Sequence, residues 1–367
     1  MAPMEEAKAT LTQRAVKKVV DDEIDDLVPD ENTAGLQDET PTFKWEDVVW
    51  YNVFVLAVWH IGAIYALFYV VPTCTLGQIA VLWKLLWVVS GLGITAGAHR
   101  LWAHRSYKAT PPLRFFLMLC NSMAFQGSIF EWSRDHRVHH KGSDTTADPH
   151  NATRGFFFAH MGWVMMRKHP NVKKEGAKLK YDDLYNDVFV AFQMKYYIWT
   201  VLAMCYAFPT YLGYIMGNTW AGFWVGGIFR HVWVLHMTWC VNSVAHFFGY
   251  KPYDRNIKPV ENLFVSIGAI GEGYHNYHHK YPADYATSEW GITTGQWNPT
   301  KLFIDTCAVL GLASDMKRSR TAAATRERLA IKVHEERLKA DVQEQLSLVD
   351  KTLGRLFFGR SEEQLFQ

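Results

Sequence analysis

Long apolar stretches alternate with strongly polar ones along this chain. Residues 48–71 are almost continuously apolar, longer than the roughly 20 residues a helix needs to cross hydrocarbon. Residues 76–98 form a second such stretch with Lys84 as its sole charge, and only Pro72 to Thr75 separates the two. Residues 196–216 and 220–248 make a second pair, joined by Gly217 to Thr219. The pattern predicts two helical hairpins and four spans, with Pro209 a source of a kink. The last stretch carries Arg230, His231, His236, Asn242 and His246. A membrane helix so marked turns one face to protein or to a site, not to lipid. Residues 112–131 are apolar but hold Arg114, Asn121 and Gln126, which predicts a buried or interfacial helix. A polar region, 132–190, follows.

The ends differ from this middle. Residues 1–44 contain five Lys/Arg and eleven Asp/Glu, with an acidic run from Asp21 to Asp26, and are expected to be a disordered arm. Because this opening is polar, membrane insertion is expected to use an internal span. Residues 316–367 form a charged tail. Its 317–346 portion is rich in Ala, Arg, Glu, Lys and Leu, and Glu335 and Lys339 stand at i,i+4, so a surface helix is expected. The intervening 45–315 is read as one domain.

Two hairpins give an even number of crossings, so both termini fall on one side. The hairpin links contain no Lys or Arg, whereas the segments flanking the opposite ends contain Arg100, Arg105, Lys108, Arg114, Arg167, Lys168, Lys173 and Lys174. The positive-inside rule places that side in the cytosol. The fold class expected is an all-α integral membrane protein. Four transmembrane helices are capped by a helical cytosolic domain. Net charge is +2 and gives no sign of a nucleic-acid partner. The aromatic content of 15% is usual for a chain with membrane interfaces. Five scattered cysteines, without a CxxC pair, argue against a disulfide framework and against Cys-ligated zinc.

Histidines mark where the polar and apolar regions meet. They fall into four clusters: His99 and His104; His136, His139 and His140; His246, with Asn242 one helical turn before it; and His275, His278 and His279. Two of these have i, i+3, i+4 spacing, which shares one helix face. His99 and His104 are about 140° apart on a regular helix, so a break near the end of the second span is expected. A lone membrane histidine is ordinarily a satisfied buried polar group. Nine at one membrane face exceed what one ion can use, and point to two metal ions. Imidazole ligands alone accept zinc, copper or iron.

At these residues the chain resembles the membrane fatty acyl-CoA desaturases of the animal stearoyl-CoA (Δ9) type. The resemblance lies in GITAGAHRLWAHRSYKA (93–109), EWSRDHRVHH (131–140), ADPHNATRGFFFAHMGW (147–163), NSVAHFFGYKPYD (242–254) and GEGYHNYHHKYPADY (271–285), and covers most of 45–315. It implies an endoplasmic-reticulum membrane protein with both termini cytosolic and a di-iron centre. The nine histidines would be the iron ligands, and Asn242 would reach one iron through water. His60, His150, His160, His169, His231, His236 and His334 do not match ligand positions. Asn52, Arg134, Asp135, Arg167 and Lys168 match residues at the CoA headgroup. Gln126, Trp132, Thr238 and Trp239 match the wall of a bent acyl tunnel, with Trp87 and Gly91 at its far end. Gly127 departs from the family, many members of which have Asn there.

The activity so implied is insertion of a cis double bond, Δ9, into a saturated long-chain acyl-CoA, using O2 and two electrons. No flavin or nicotinamide motif is present, so the electrons are expected from cytochrome b5 and its NADH-dependent reductase. The alternatives are a His-rich di-iron membrane hydroxylase acting on lipid and a desaturase of other regiospecificity such as Δ11. A transporter would need its polar ligands near the midplane of its spans.

Overall fold

The computed structural model describes residues 43–358, so most of the 1–44 arm lies outside the described residues. One compact unit extends to Ser319, and a second begins at Arg320. The described residues of the first are mainly helical and include a two-residue antiparallel ladder, β1 (Lys108–Ala109) with β2 (Ala313–Ser314). Its long helices are α1 (Trp50–Thr73) and α2 (Leu76–Ala103). Then come α3 (Pro111–Ala124), α4 (Ile129–Lys141) and the short α5 (Phe156–His160), α6 (Pro170–Gly176), α7 (Asp182–Tyr185) and α8 (Val188–Lys195). The second long pair is α9 (Tyr197–Ile215) and α10, three consecutive helical pieces running over 219–242. The unit closes with α11 (Val244–Phe247), α12 (Leu263–Gly268), α13 (His275–Lys280) and α14 (Pro299–Val309). The second unit contains the helix α15 (Ala322–Phe358).

Local chemistry sets these boundaries. Thr75 and Gln78 form a capping box that starts α2, and Ser128 with Glu131 forms another at α4. Prolines open α3 and α14, where a missing N–H costs no helical hydrogen bond. Phe125, at φ 51°, ends α3 in the left-handed region, and α4 leaves at 84° to it. α9 runs from Tyr197 to Ile215 with Pro209 buried inside it, directly after a widened stretch at Leu202–Ala207.

α1, α2 and α9 are long and apolar enough to cross a membrane. Their outer faces present Phe54, Ile61, Phe68, Trp199 and Tyr211. α10 does not pass the same test of composition; the bent pair α3–α4 does when taken as one span. The reason is in the side chains of α10. Arg230 is fully buried there, and its guanidinium donates to the carbonyls of Gly226, Met123 and Cys205. Its charge is therefore spent on fastening α10 to the end of α3 and to α9. Lys84, about two turns into α2, places Nζ 3.6 Å over the Trp83 ring, a cation–π contact.

Helix contacts are close where glycine permits. A Cβ on Gly93 would lie 2.1 Å from the Asn121 backbone nitrogen, so α2 and α3 touch backbone to backbone. A Cβ on Gly213 would lie 2.5 Å from Gly222 Cα, where α9 and α10 cross. The core of the unit is built from Leu92, Trp102, Leu117, Ile129, Tyr285 and Ile304, around the ends of α2, α3, α4 and α14.

α2 continues through His99 to Ala103, without the break expected near the end of the second span. Over Gly93–Ala103 it widens instead. The His104 N–H donates to the His99 carbonyl at 3.0 Å, an i→i+5 bond. Such a turn stacks residues five apart, so both imidazoles point one way without a break. Gly93→Ala is expected to lower the melting temperature of the purified protein, by overpacking that costs about 1–3 kcal/mol. Gly77→Ala, where the nearest atom is 3.9 Å away, should shift it little.

Candidate metal centre and cavity

The nine histidines converge, but not cluster by cluster. His99, His104, His136, His140 and His278 form one set, and His139, His246, His275 and His279 a second. Within each set, one ring nitrogen per residue lies within 4.8 Å of the others. Each HxxHH triplet is divided. On α4 the i,i+4 pair His136 and His140 serves the first set and His139 the second. On α13 the i,i+4 pair His275 and His279 serves the second and His278 the first. The two short helices thus clasp two sites between them.

The facing nitrogens are Nε2. In the first set His99 and His278 approach to 3.0 Å, His278 and His140 to 2.9 Å, and His104 and His136 to 2.8 Å. In the second, His275 lies 3.1 Å from both His246 and His279, and His139 lies 3.3 Å from His279. Three of the far nitrogens meet carboxylates. His99 Nδ1 is 3.1 Å from Glu272, His139 Nδ1 2.8 Å from Asp148, and His246 Nδ1 3.3 Å from Asp144. A carboxylate on Nδ1 keeps the proton there and leaves Nε2 as a bare lone pair. Lone pairs facing one another at about 3 Å repel unless a cation lies among them. The donor set therefore fits a metal ion in each group.

Protonation follows the same logic. Burial, followed by mutual repulsion, holds His104, His136, His140, His275, His278 and His279 well below the usual imidazole range. They are neutral, the ligand form. Burial also opposes charge on His139, but Asp148 outweighs it and raises that group. Burial pushes Glu272 up, and Arg100 with His99 more than reverses this. Arg100 is fully buried. It donates to Glu272 through Nε at 3.0 Å and Nη2 at 2.8 Å, and to the Tyr285 and Ala286 carbonyls.

Glu272, Asp148, Asp144 and Arg100 were absent from the sequence-derived site. A signal existed: Glu272 stands three residues before His275, and Asp148 two before His150, inside the recognised motifs. His150 comes within 3.8 Å of Asp148 and packs edge-on to Trp163, behind the second set. His169 caps α6. His231 stacks on Phe125.

A cavity of about 620 Å³ opens beside these sets, and His99, His136, His275 and Asn242 form part of its wall. That size suits a small-molecule site. The wall is mostly apolar and includes Gln126, Trp132, Thr238, Trp239, Trp87 and Gly91, the whole tunnel set expected from sequence. Trp132 stacks on His136, and Gln126 donates to Thr238 across 3.0 Å. Asn52, Arg134, Asp135 and Lys168 also line it. Asp135 pairs with both Arg134 and Lys168. Arg167 is placed differently: it lines a smaller neighbouring pocket with Lys168 and His169. Gly127, at φ 91°, lines the main cavity and donates its N–H to the Tyr197 hydroxyl at 2.9 Å.

Residues 78–286 match the sequence profile of the fatty acid desaturase family. The chain belongs to that family. It is 50% identical over 285 residues to Delta(9)-fatty-acid desaturase fat-6 of Caenorhabditis elegans, spanning 77% of this chain and 83% of the relative. It is 52% identical over 277 residues to stearoyl-CoA desaturase 5 of Bos taurus, spanning 75% and 81%. With the stearoyl-CoA desaturase of Homo sapiens it shares 48% over 313 residues, spanning 82% and 84%.

Glu272→Gln and Asp148→Asn should each weaken metal retention by roughly 10- to 100-fold, the usual effect of losing a carboxylate behind a ligating histidine. Titration with a chelator, followed by metal analysis, checks this.

Proposed function

We propose that this chain is an acyl-CoA Δ9 desaturase that introduces a cis double bond into a saturated long-chain acyl-CoA. The observation that carries the reading is the opening of both imidazole sets onto one apolar cavity. The names of relatives about 50% identical over most of the chain support the acyl-CoA substrate and the Δ9 position.

The nine histidines would hold two iron ions, with Asn242 contributing through water. Iron so bound supplies, with O2, an oxidant able to break unactivated C–H bonds, while the protein supplies orientation and dryness. Overall, one acyl chain, O2, two electrons and two protons give the olefin and two waters. Trp132, Gln126, Thr238 and Trp239 hold the acyl chain in a bent path, which fixes the carbons presented to the sets and the cis geometry. Glu272, Asp148 and Asp144 keep protons on the outer nitrogens. Arg134, Lys168 and Asn52 receive the CoA headgroup at the mouth, where cationic side chains match phosphates; Arg167 acts from the adjoining pocket. Two electrons per turnover come from cytochrome b5, reduced through its NADH-dependent reductase, since an acidic carrier suits a basic surface.

In the same reading the protein spans the endoplasmic-reticulum membrane four times through α1, α2, α9 and α10. Both termini and the helices around the metal sets lie in the cytosol. The buried Arg230 reconciles α10 with that count, because its charge faces protein.

Expression in a desaturase-deficient yeast, with double-bond mapping, tests the reaction. The expected product is a Δ9 olefin; an alcohol would instead show a hydroxylase. His139→Ala should abolish product. Trp87 donates Nε1–H to the Gly268 carbonyl at 3.2 Å, and a Cβ on Gly91 would meet Ile270 at 2.9 Å, so this end of the cavity is tightly closed. Trp87→Ala should move the preference to longer acyl chains by two or more carbons, at a cost of about 3 kcal/mol in stability. An unchanged chain-length profile would remove Trp87 from the tunnel's end.

A further inference from the structure

Three histidines that match no ligand position form a second array beside Trp239. His60 on α1 sets Nδ1 2.6 Å from the Leu56 carbonyl and Nε2 3.0 Å from His236 Nε2. His236 on α10 turns its other nitrogen, Nδ1, to His160 Nε2 at 3.0 Å. His160, at the end of α5, sets Nδ1 2.8 Å from Ser243 Oγ, and that hydroxyl donates to the Trp239 carbonyl at 3.0 Å. His236 shows a different nitrogen to each neighbour, so the three rings do not converge on one ion as the metal sets do. The array is a hydrogen-bonded chain.

Counting its protons shows what it lacks. Both ends are carbonyls, which only accept. Five links therefore join Leu56, His60, His236, His160, Ser243 and Trp239, and each link needs one hydrogen. Three neutral imidazoles and one hydroxyl supply four. A neutral chain leaves one link empty, and one added proton completes all five.

We infer that this chain is a binding site for a single excess proton, and that the proton fastens the cavity wall. His160, the ring outside the long helices, carries it as imidazolium. Phe156 stacks parallel to His160, with centroids 5.8 Å apart, and the Trp239 ring lies 5.8 Å away at a steep angle, so aromatic rings lie beside the charge. Burial works against charging His160. The completed fifth bond and the rings offset it. On His160 the Trp239 carbonyl works for the charge and His60 against it, and the titratable neighbours of His236 are His60 and His160. On α11, His246 faces Asp144 instead. The two end carbonyls belong to Leu56 and Trp239, and both residues line the acyl cavity. The array joins α1, α5 and α10, so its protonation state decides whether those two wall residues are tied together. His60, His160, His236 and Ser243 are thus positioning residues for the acyl chain.

The inference rests on the acyl-CoA reading, and its test separates the two. The full-length iron-loaded protein in lipid nanodiscs is assayed with stearoyl-CoA between pH 6 and 8.5. In the wild type, KM should rise roughly five-fold as the chain loses its proton and one hydrogen bond, while kcat follows a shallower course. Removing any one member leaves three links and three hydrogens, which needs no extra proton. Ser243→Ala and His236→Phe should therefore both flatten the rise in KM, and the difference from wild type cancels the titration of CoA itself. In ¹⁵N-histidine NMR, one imidazolium should vanish in both variants. Variants that keep the wild-type KM profile, or a wild type with a flat one, would overturn the proton site while leaving the desaturase reading intact. Absence of any turnover in the wild type would instead count against the desaturase reading. If His236→Phe fails to fold, Ser243→Ala decides alone.

Discussion

Imidazole lone pairs held face to face are the constraint on which this structure depends. Carboxylates behind His99 and His139 fix protons on the outer nitrogens, and burial keeps most of the remaining rings neutral. Two groups of Nε2 atoms then point inward, those of His99 and His139 with nothing to donate. Such an arrangement is costly in an empty protein and favourable around a cation, so metal binding and folding of this region are coupled. The surrounding architecture follows. α2 is widened so that His99 and His104 point together, α3 is pressed against it at Gly93, and α4 and α13 are packed so that each serves both sets.

Buried cations hold this arrangement in place, and they are used differently. Arg100 is matched by Glu272 and three further acceptors, the Tyr285 and Ala286 carbonyls and Asn298 Oδ1, and it orients the carboxylate that orients His99. Arg230 has carbonyls and a thiol as its partners, and it joins α10 to the left-handed end of α3, where Phe125 lines the cavity. Breaking either would leave an uncompensated charge in a dry interior, which is more harmful than losing the contact itself. The same economy separates the two histidine arrays. Where the rings converge, with carboxylates behind some of them, the site asks for a metal. Where they run in a line between carbonyls, it asks for a proton.

Much of this was legible in the sequence. Apolar length located α1, α2 and α9, because crossing hydrocarbon imposes a minimum run that few soluble helices match. Histidine clustering marked all nine inward-facing rings, and the i, i+3, i+4 spacing that shares a helix face accounts for six of them. The partition between sets was not legible, since it depends on how α4 and α13 pack across each other. The course of α2 was misjudged at its end. A regular helix cannot align residues five apart, and a widened turn solves that as well as a break does. Glu272 and Asp148 were missed because acidic residues beside histidines look like surface charge until burial is known. Arg100 was counted with the charges that orient the chain in the membrane, yet in the folded protein it is wholly enclosed.

The central claim is that each imidazole set holds one iron. Metal analysis of the purified, catalytically active full-length protein, combined with Mössbauer spectroscopy, addresses it directly. Two irons per chain are predicted, in two nitrogen-rich environments. An active preparation retaining a single iron, or one whose activity persists with another metal in place of iron, would contradict the account.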